Sequence, residues 1–234
     1  MMIKVVNAKN INPNVHYIAS FARLRHRVFI EKLRWNLPLH DDASGHEYDS
    51  YDTEDATYIL VCNGVEVVAG VRLIKTTQRF LLGELFPHLE RTVVPTGKDV
   101  LEVTRFVVEP ERERLGSVTD PVGELVVALL EYGVANRLRN FISVSYAGME
   151  RLLARTGCQI GRLGSPLRFD GRMTVPLKFD ISREILTAAK ARLSGLAVVA
   201  APTERAAPVP ADLPMASRTT SHAGRYPARV ALAA

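Results

Sequence analysis

Residues 57–74 read TYILVCNGVEVVAGVRLI, and this stretch decides the fold class. Two apolar, β-branched runs flank Asn63-Gly64, the strongest short signal for a two-residue hairpin. The pattern predicts strands Thr57–Cys62 and Val65–Ile74. A second stretch of the same character, DVLEVTRFVV, predicts a buried strand over Asp99–Val108. Working outward, residues 12–33 read as a helix, with Ile18, Phe21, Leu24 and Val28 on one stripe. Arg25 and Phe29, four residues apart, share a face beside that stripe. From Trp35 to Thr53 the apolar pattern stops, and Pro, Gly, Asp and Ser predict a long loop. Downstream, a short helix is expected around Leu81–Phe86. Asp120-Pro121 starts a longer one, with Asp as N-cap, Pro at the first helical position, and Val122, Leu125, Val126 and Leu129 on its apolar face. Then come a strand at Phe141–Tyr146, a helix at Ala147–Thr156 ended by Gly157, a strand at Met173–Ile181 and a closing helix at Ser182–Leu193. Helices interleave with strands, so the class is α/β (α+β): a mixed sheet with helices on both faces.

The chain has 234 residues with 47% hydrophobic and 24% charged side chains, the profile of an ordinary globular protein. Residues 1–195 form one expected domain. Residues 196–234, rich in Ala and Pro, are expected to be a disordered tail. No apolar run approaches the ~18–20 residues that span a bilayer. The N-terminus lacks the apolar core of a signal peptide, so a cytoplasmic location is expected. Cys62 and Cys158 form no CxxC pair, which argues against a zinc site or a disulfide framework. Between Arg137 and Lys178, eight basic side chains face only Glu150 and Asp170. Such a segment suits a nucleic acid, a phosphate-rich cofactor or an acidic protein, or is a solvated basic face.

The informative feature is charge inside apolar strands. Arg72 interrupts VEVVAGVRLI, and Glu102 and Arg105 interrupt DVLEVTRFVV. A buried unpaired charge is strongly destabilising, so these side chains must pair with one another or meet a charged ligand. Strict alternation places Glu102, Thr104 and Phe106 on one face and Arg105 on the other. If Glu102 and Arg105 serve one site, the strand needs a bulge. In the loop, EYDSYD carries Glu47, Asp49 and Asp52. A calcium loop is a poor reading, because the Gly and the distal Glu of an EF-hand are missing.

Together and in this order, these residues resemble the acyl-homoserine-lactone synthases, the LuxI-type quorum-signal enzymes. The resemblance runs through Arg25, Phe29 and Trp35; Glu47, Asp49 and Asp52; Gly70-Val71-Arg72-Leu73; Glu102, Arg105 and Phe106; and SVSYAGMER from Ser143 to Arg151. It covers residues 2 to about 185. It implies a fold similar to the GNAT acetyltransferases and the joining of S-adenosylmethionine (SAM) to an acyl thioester. The SAM amine forms an amide, and the methionine carboxylate then displaces methylthioadenosine to close a lactone. SAM is a substrate, and no cofactor or metal is implied.

On that resemblance Glu102 is the candidate general base, with Arg105 beside it. Arg25, Phe29, Trp35, Asp49, Asp52, Arg72, Thr104 and Phe106 are expected around SAM, with Asp49 and Asp52 facing its cationic groups and the aromatic faces stabilising them. Phe86, Leu125, Leu129, Ser143 and Met149 are candidates for the acyl pocket, Ser143 matching a position where members accepting 3-oxo chains often carry Thr or Ser. The loop 35–53 would close over SAM. The basic segment suits an acidic acyl carrier protein or the phosphates of coenzyme A as donor. Two departures, Gly157-Cys158 and Glu102-Val103-Thr104-Arg105, fall near the acyl side. The rival readings are a GNAT-type N-acetyltransferase and a nucleic-acid-binding module. The first needs an Arg/Gln-x-x-Gly-x-Gly/Ala turn, but ERERLGSVTDP puts Arg112 four residues before Gly116 and supplies no second Gly. The second lacks a recognisable helix-turn-helix or stacking platform, so neither nucleic acid nor membrane is an expected partner.

Overall fold

The computed structural model describes residues 1–35, 40–41, 43–86, 94–109, 120–169 and 171–195. In chain order the elements are β1 (Met2–Val6) and α1 (Ile11–Arg25), which continues into a π-helical segment (His26–Lys32). Next are β2 (His40–Asp41), β3 (His46–Glu47), β4 (Thr57–Asn63), β5 (Glu66–Lys75), α2 (Leu81–Leu85) and β6 (Val100–Val108). Then follow α3 (Pro121–Ala135), β7 (Asn140–Tyr146), α4 (Ala147–Arg155), β8 (Ile160–Arg162), β9 (Leu167–Phe169), β10 (Arg172–Asp180) and α5 (Arg183–Leu193).

The expected hairpin forms, one residue out of the expected register. Asn63 pairs with Glu66, so the two-residue loop is Gly64-Val65. Gly64 takes a φ of 62°, which glycine adopts without a steric penalty. The sheet runs in the order β1-β4-β5-β6-β7-β10-β8, with β9 also on β10. All neighbours are antiparallel except β6 and β7. That parallel ladder has only three pairs, Val100–Glu102 against Asn140–Ile142. Just past its end, Ser143 Oγ donates to the Val103 carbonyl at 2.8 Å. β6 and β7 both continue beyond this point without pairing to each other.

The two faces of the sheet carry separate cores, because side chains alternate along each strand. On one face, Phe21 and Leu24 of α1 pack on Tyr58, Leu60, Val67 and Val107. On the other, Leu125, Val126 and Leu130 of α3, with Ile185 and Ala189 of α5, pack on Ile59, Val71, Leu73, Val103 and Leu177. Both helices start as the sequence predicts. Asp120 caps α3 by accepting from Val122 N at 3.1 Å, and Ser182 caps α5 by accepting from Ile185 N at 3.2 Å.

Gly70 lets Phe21 of α1 pack directly on the sheet. A Cβ there would lie 2.7 Å from the Phe21 ring and 2.8 Å from Leu60 Cδ2. Gly70→Ala is therefore expected to destabilise the fold by about 1–3 kcal/mol through overpacking. Denaturant unfolding checks this, and an unchanged midpoint would show that α1 shifts freely.

Several elements differ from expectation. β1, β8 and β9 are short strands that the sequence reading did not assign. The stretch read as a 35–53 loop contains the β2–β3 ribbon. The end of the first helix is π-helical, with Leu33 N bonded to Val28 O at 2.9 Å. The tail 196–234 and nearly all of ERERLGSVTDP lie outside the described residues. Among the described residues, no helix is long and apolar enough to cross a membrane.

Candidate functional site

Three arginines and three carboxylates close a ring on the α1 face of the sheet. Arg25 meets Glu47 through Nε at 2.5 Å and grips Asp52 with both terminal nitrogens at 2.8 and 2.9 Å. Arg72 grips Asp49 at 2.5 and 2.8 Å and reaches Asp52 at 2.9 Å. Arg105 grips Glu47 at 3.2 and 2.9 Å and reaches Asp49 at 2.7 Å. Each carboxylate thus touches two arginines, and each arginine touches two carboxylates. The planar guanidinium fork makes such bidentate bridging possible. Arg25, Arg72, Arg105 and Glu47 are at most 1% exposed, so the ring is a buried, charge-balanced unit. Tyr58, opposite Arg72 across β4 and β5, adds a hydroxyl bond to Asp52 at 2.9 Å.

This geometry changes the expected roles of Asp49 and Asp52. They face arginines rather than open space for a cationic ligand. Burial disfavours ionising Glu47, but the guanidinium groups of Arg25 and Arg105 outweigh it and hold its carboxyl below the usual range. Asp49 and Asp52 are depressed by the same balance, between Arg105 and Arg72 for the first and Arg25 and Arg72 for the second. Their contribution to stability is present at neutral pH and is lost only as acid reaches these lowered values.

Arg105 joins the ring because β6 is bulged. The β5–β6 register shifts between Gly70 and Arg72, so Arg105 and Phe106 together oppose Val71. Arg105 has a φ of 54°, a left-handed conformation that is uncommon outside glycine. The bulge keeps Arg105 on the face of Glu102 and Thr104 and turns Phe106 to the other face, into the α3 core. Strict alternation had placed these two side chains the other way round, and Phe106 leaves the expected SAM set for the apolar side. Thr104 stays beside the ring, where its hydroxyl accepts from Arg72 Nε at 3.1 Å.

Glu102 sits one pair away from the ring, fully buried. Its two oxygens accept from the backbone nitrogens of Leu81 and Leu82, both at 2.7 Å, and so tie the start of α2 to β6. Burial pushes its pKa up to about 8 against the pull of those two donors and of Arg72.

Phe29 and Trp35, two of the three aromatic side chains expected around SAM, form a column with Tyr146 beside the ring. Arg105 lies 5.6 Å over Phe29, Phe29 stacks on Trp35 at 4.7 Å, and Trp35 meets the edge of Tyr146 at 5.5 Å. Arg172 covers Tyr146 at 5.3 Å and donates to the Leu33 carbonyl. Trp35 is buried, yet among the described residues its indole N–H has no hydrogen-bond partner. An unpaired buried donor is rare in a finished core. Tyr146 and Arg172 were not singled out in the sequence. The only available signal was their place beside the SVSYAGMER segment and in the basic stretch.

On the opposite face, an apolar cavity of about 30 Å³ opens where β6 and β7 stop pairing. Leu129 and Ser143, two of the acyl-pocket candidates, line this cavity, and Phe106 joins them. The remaining acyl-pocket candidates do not line it. Leu125 is plain core, and Met149 packs half-buried against that core. Phe86 lies on a separate groove of about 570 Å³ beside α2, lined by polar Thr76, Arg79 and Glu84 and by apolar Phe80 and Val94. Ser143 is already bonded to Val103 O, which gives its hydroxyl a backbone role.

The arrangement matches known proteins. Residues 12–188 match the family model described as autoinducer synthase. An acyl-homoserine-lactone synthase from Acinetobacter nosocomialis is 30% identical over 170 residues, covering 70% of this chain and 91% of that protein. The solved structure of BjaI, a CoA-dependent acyl-homoserine lactone synthase with SAM and isopentyl-CoA, superposes with a TM-score of 0.73 at 28% identity. The match covers 82% of this chain and 89% of that one. An acyl-CoA N-acyltransferase from Pseudomonas aeruginosa shares the fold alone, at 12% identity and a TM-score of 0.53 over 76% of this chain and 99% of that one. With the ordered charged motifs gathered into one ring and the sheet opening beside it, the chain belongs to the autoinducer synthase family.

Proposed function

We propose that the two faces of this site divide the work of making an N-acyl-L-homoserine lactone from SAM and an acyl thioester. The observation that carries the reading is the break in the β6–β7 ladder. It sets a polar, charge-balanced wall on one side and an apolar cavity on the other. SAM carries a sulfonium, an ammonium and a carboxylate, and the Phe29–Trp35–Tyr146 column offers aromatic faces to its cationic groups. The indole N–H of Trp35 supplies a donor for a SAM oxygen or nitrogen. The ring fixes segment 47–52 against the sheet and so shapes the site from outside it.

The reaction balances with these residues. Burial raises the pKa of Glu102 to about 8, so a minority of it is ionised at neutral pH, and that form takes a proton from the SAM ammonium. The amine nitrogen attacks the thioester carbonyl, the C–S bond breaks, and the thiolate leaves with a proton. The methionine carboxylate then attacks the carbon next to the sulfonium. A C–O bond forms, the C–S⁺ bond breaks, and neutral methylthioadenosine departs. Holding carboxylate and sulfonium carbon in register is the positional contribution of the site.

The donor is proposed to be an acyl carrier protein or acyl-CoA. Exposed Arg151 and Arg155 on α4 are available to either, whereas Arg162 is paired with Glu150 and Arg139 with Asp99. The N-acetyltransferase reading loses ground at α3. Its first helical residue is Pro121, which has no N–H, and the next N–H is taken by Asp120. A helix start prepared for a pyrophosphate keeps those groups open.

Incubating the full chain with SAM and paired carrier-protein and CoA donors tests the reading by mass spectrometry. The expected result is an acyl-homoserine lactone and methylthioadenosine in equal amounts. Neither product from any donor would overturn it.

A further inference from the structure

We propose that Arg172 is a positioning residue for SAM, acting through Tyr146 and Trp35 across the split between β6 and β7. Its effect on synthesis rests on the synthase reading above, whereas its effect on Trp35 does not.

The aromatic column is built from both sides of the split. Phe29 and Trp35 sit on the α1 side, in one core with Tyr58 and Leu60 of β4 and Val107 of β6. Tyr146 stands at the end of β7. The β6–β7 ladder ends at the Glu102–Ile142 pair, well before Tyr146, so pairing between these strands does not fix Tyr146 against the α1 side. Trp35 and Tyr146 meet across the split by an edge contact at 5.5 Å, and such a contact is weak on its own.

Arg172 crosses the split at the same level, from β10. Thr174 pairs with Tyr146, and Arg172, two residues earlier on β10, shares the face of Thr174. Its guanidinium covers the Tyr146 ring at 5.3 Å, and its Nη2 donates to the Leu33 carbonyl at 3.1 Å. Leu33 closes the π-helical segment, and a cation is favoured at the carbonyl end of a helix. The next residue, Arg34, has a φ of 56°, a costly left-handed conformation for a side chain other than glycine. That turn brings Trp35 N to Phe29 O at 2.8 Å and lays the indole on the Phe29 ring at an interplanar angle of 5°. One side chain therefore holds both the turn that presents Trp35 and the ring that Trp35 meets. A guanidinium can do both, because its flat face lies on an aromatic ring while its edge donates, and an ammonium has no such plane.

Trp35 is the single tryptophan of the chain, so its fluorescence and near-UV circular dichroism report on the column without any substrate. The test compares the full-length protein with Arg172→Met and Arg172→Lys. Arg172 is exposed, so both variants are expected to fold. In Arg172→Met the Trp35 dichroism is expected to weaken and its quenching by acrylamide to increase. With the fastest donor of the panel, the KM for SAM is expected to rise about tenfold, and the KM for the donor to stay within about twofold. Arg172→Lys is expected to recover only part of each change. Unchanged Trp35 spectra in Arg172→Met would overturn the proposal. So would a rise confined to the donor's KM, which would place Arg172 on the donor's path. A raised KM for SAM with unchanged Trp35 spectra would overturn it too, because Arg172 would then act on SAM directly. If the unaltered protein made neither lactone nor methylthioadenosine, the synthase reading would fall and the role toward SAM with it, while the spectra would still decide whether Arg172 holds the column.

Discussion

Replacing Arg72 with methionine is expected to lower stability by about 3–5 kcal/mol, the loss usual when one partner of a buried ion pair is removed. For a domain of this size that corresponds to roughly 10 °C or more in melting temperature. Arg72 is fully buried and bridges Asp49 and Asp52. Methionine fills much of its volume but leaves a buried ring with one excess negative charge. Synthesis is expected to fall about a hundredfold as segment 47–52 loses its fixed position. Arg72→Lys retains the charge but cannot fork across Asp49, so it should recover only part of the loss. A double-mutant cycle with Asp49→Asn isolates the interaction. Coupling above about 1 kcal/mol is expected for members of one network. Coupling near zero would show that the ring is a set of neighbours without mutual stabilisation.

Glu102→Gln is expected to reduce synthesis by about 10²–10⁴-fold, the range associated with losing a positioned acid–base group. It also tests the anchor. Glutamine has one acceptor oxygen where Glu102 presents two, each 2.7 Å from a backbone nitrogen of α2. One N–H of Leu81 or Leu82 is left facing another donor, at about 1–3 kcal/mol. The fold should persist with a lower melting temperature. The pH dependence separates the two effects. Because burial raises the folded pKa of Glu102 to about 8 from 4.5, the native state holds a proton that the unfolded chain releases. Its contribution to stability is complete below pH ~4.5 and is lost as pH rises towards 8. The variant should lack that decline. In the unaltered enzyme, kcat/KM should rise through pH 8 as Glu102 ionises. If the variant kept near-normal turnover, or kept the same rising limb, another group would be the base.

Much of this site was legible because charge in an apolar strand has few physical outcomes. Arg72, Glu102 and Arg105 had to be satisfied inside the protein, and the ring satisfies two of them with Glu47, Asp49 and Asp52 from EYDSYD. The bulge was legible as a condition: Arg105 could share a site with Glu102 only if alternation failed between them. Its consequence for Phe106 was not, since the reading kept strict period two beyond the irregularity. Which carboxylate meets which arginine depends on the packing of α1 on β5, which no local pattern records. The same holds for the cavity. Leu125 and Leu129 are both apolar residues of α3, and only the position of the break in the sheet decides that Leu129 lines the cavity and Leu125 does not. β1, β8 and β9 were missed because each is short and draws its stability from the neighbour it pairs with. The π-helical turn is another tertiary product, formed where Phe29 and Trp35 must stack.

Mechanically, the three-pair ladder between β6 and β7 makes the sheet two plates joined at a fulcrum. From Glu102 to Val108, β6 extends about 20 Å past that joint at ~3.3 Å per residue. A relative rotation of about 5° between the plates therefore moves the far end of β6 by roughly 2 Å, the scale of a methylene, with the joint's own hydrogen bonds intact. Two residues at the fulcrum reach both sides, Phe141 lining the cavity and Glu102 feeling Arg72 of the ring, so the joint sets the leverage with which a small change at one rim widens or narrows the other.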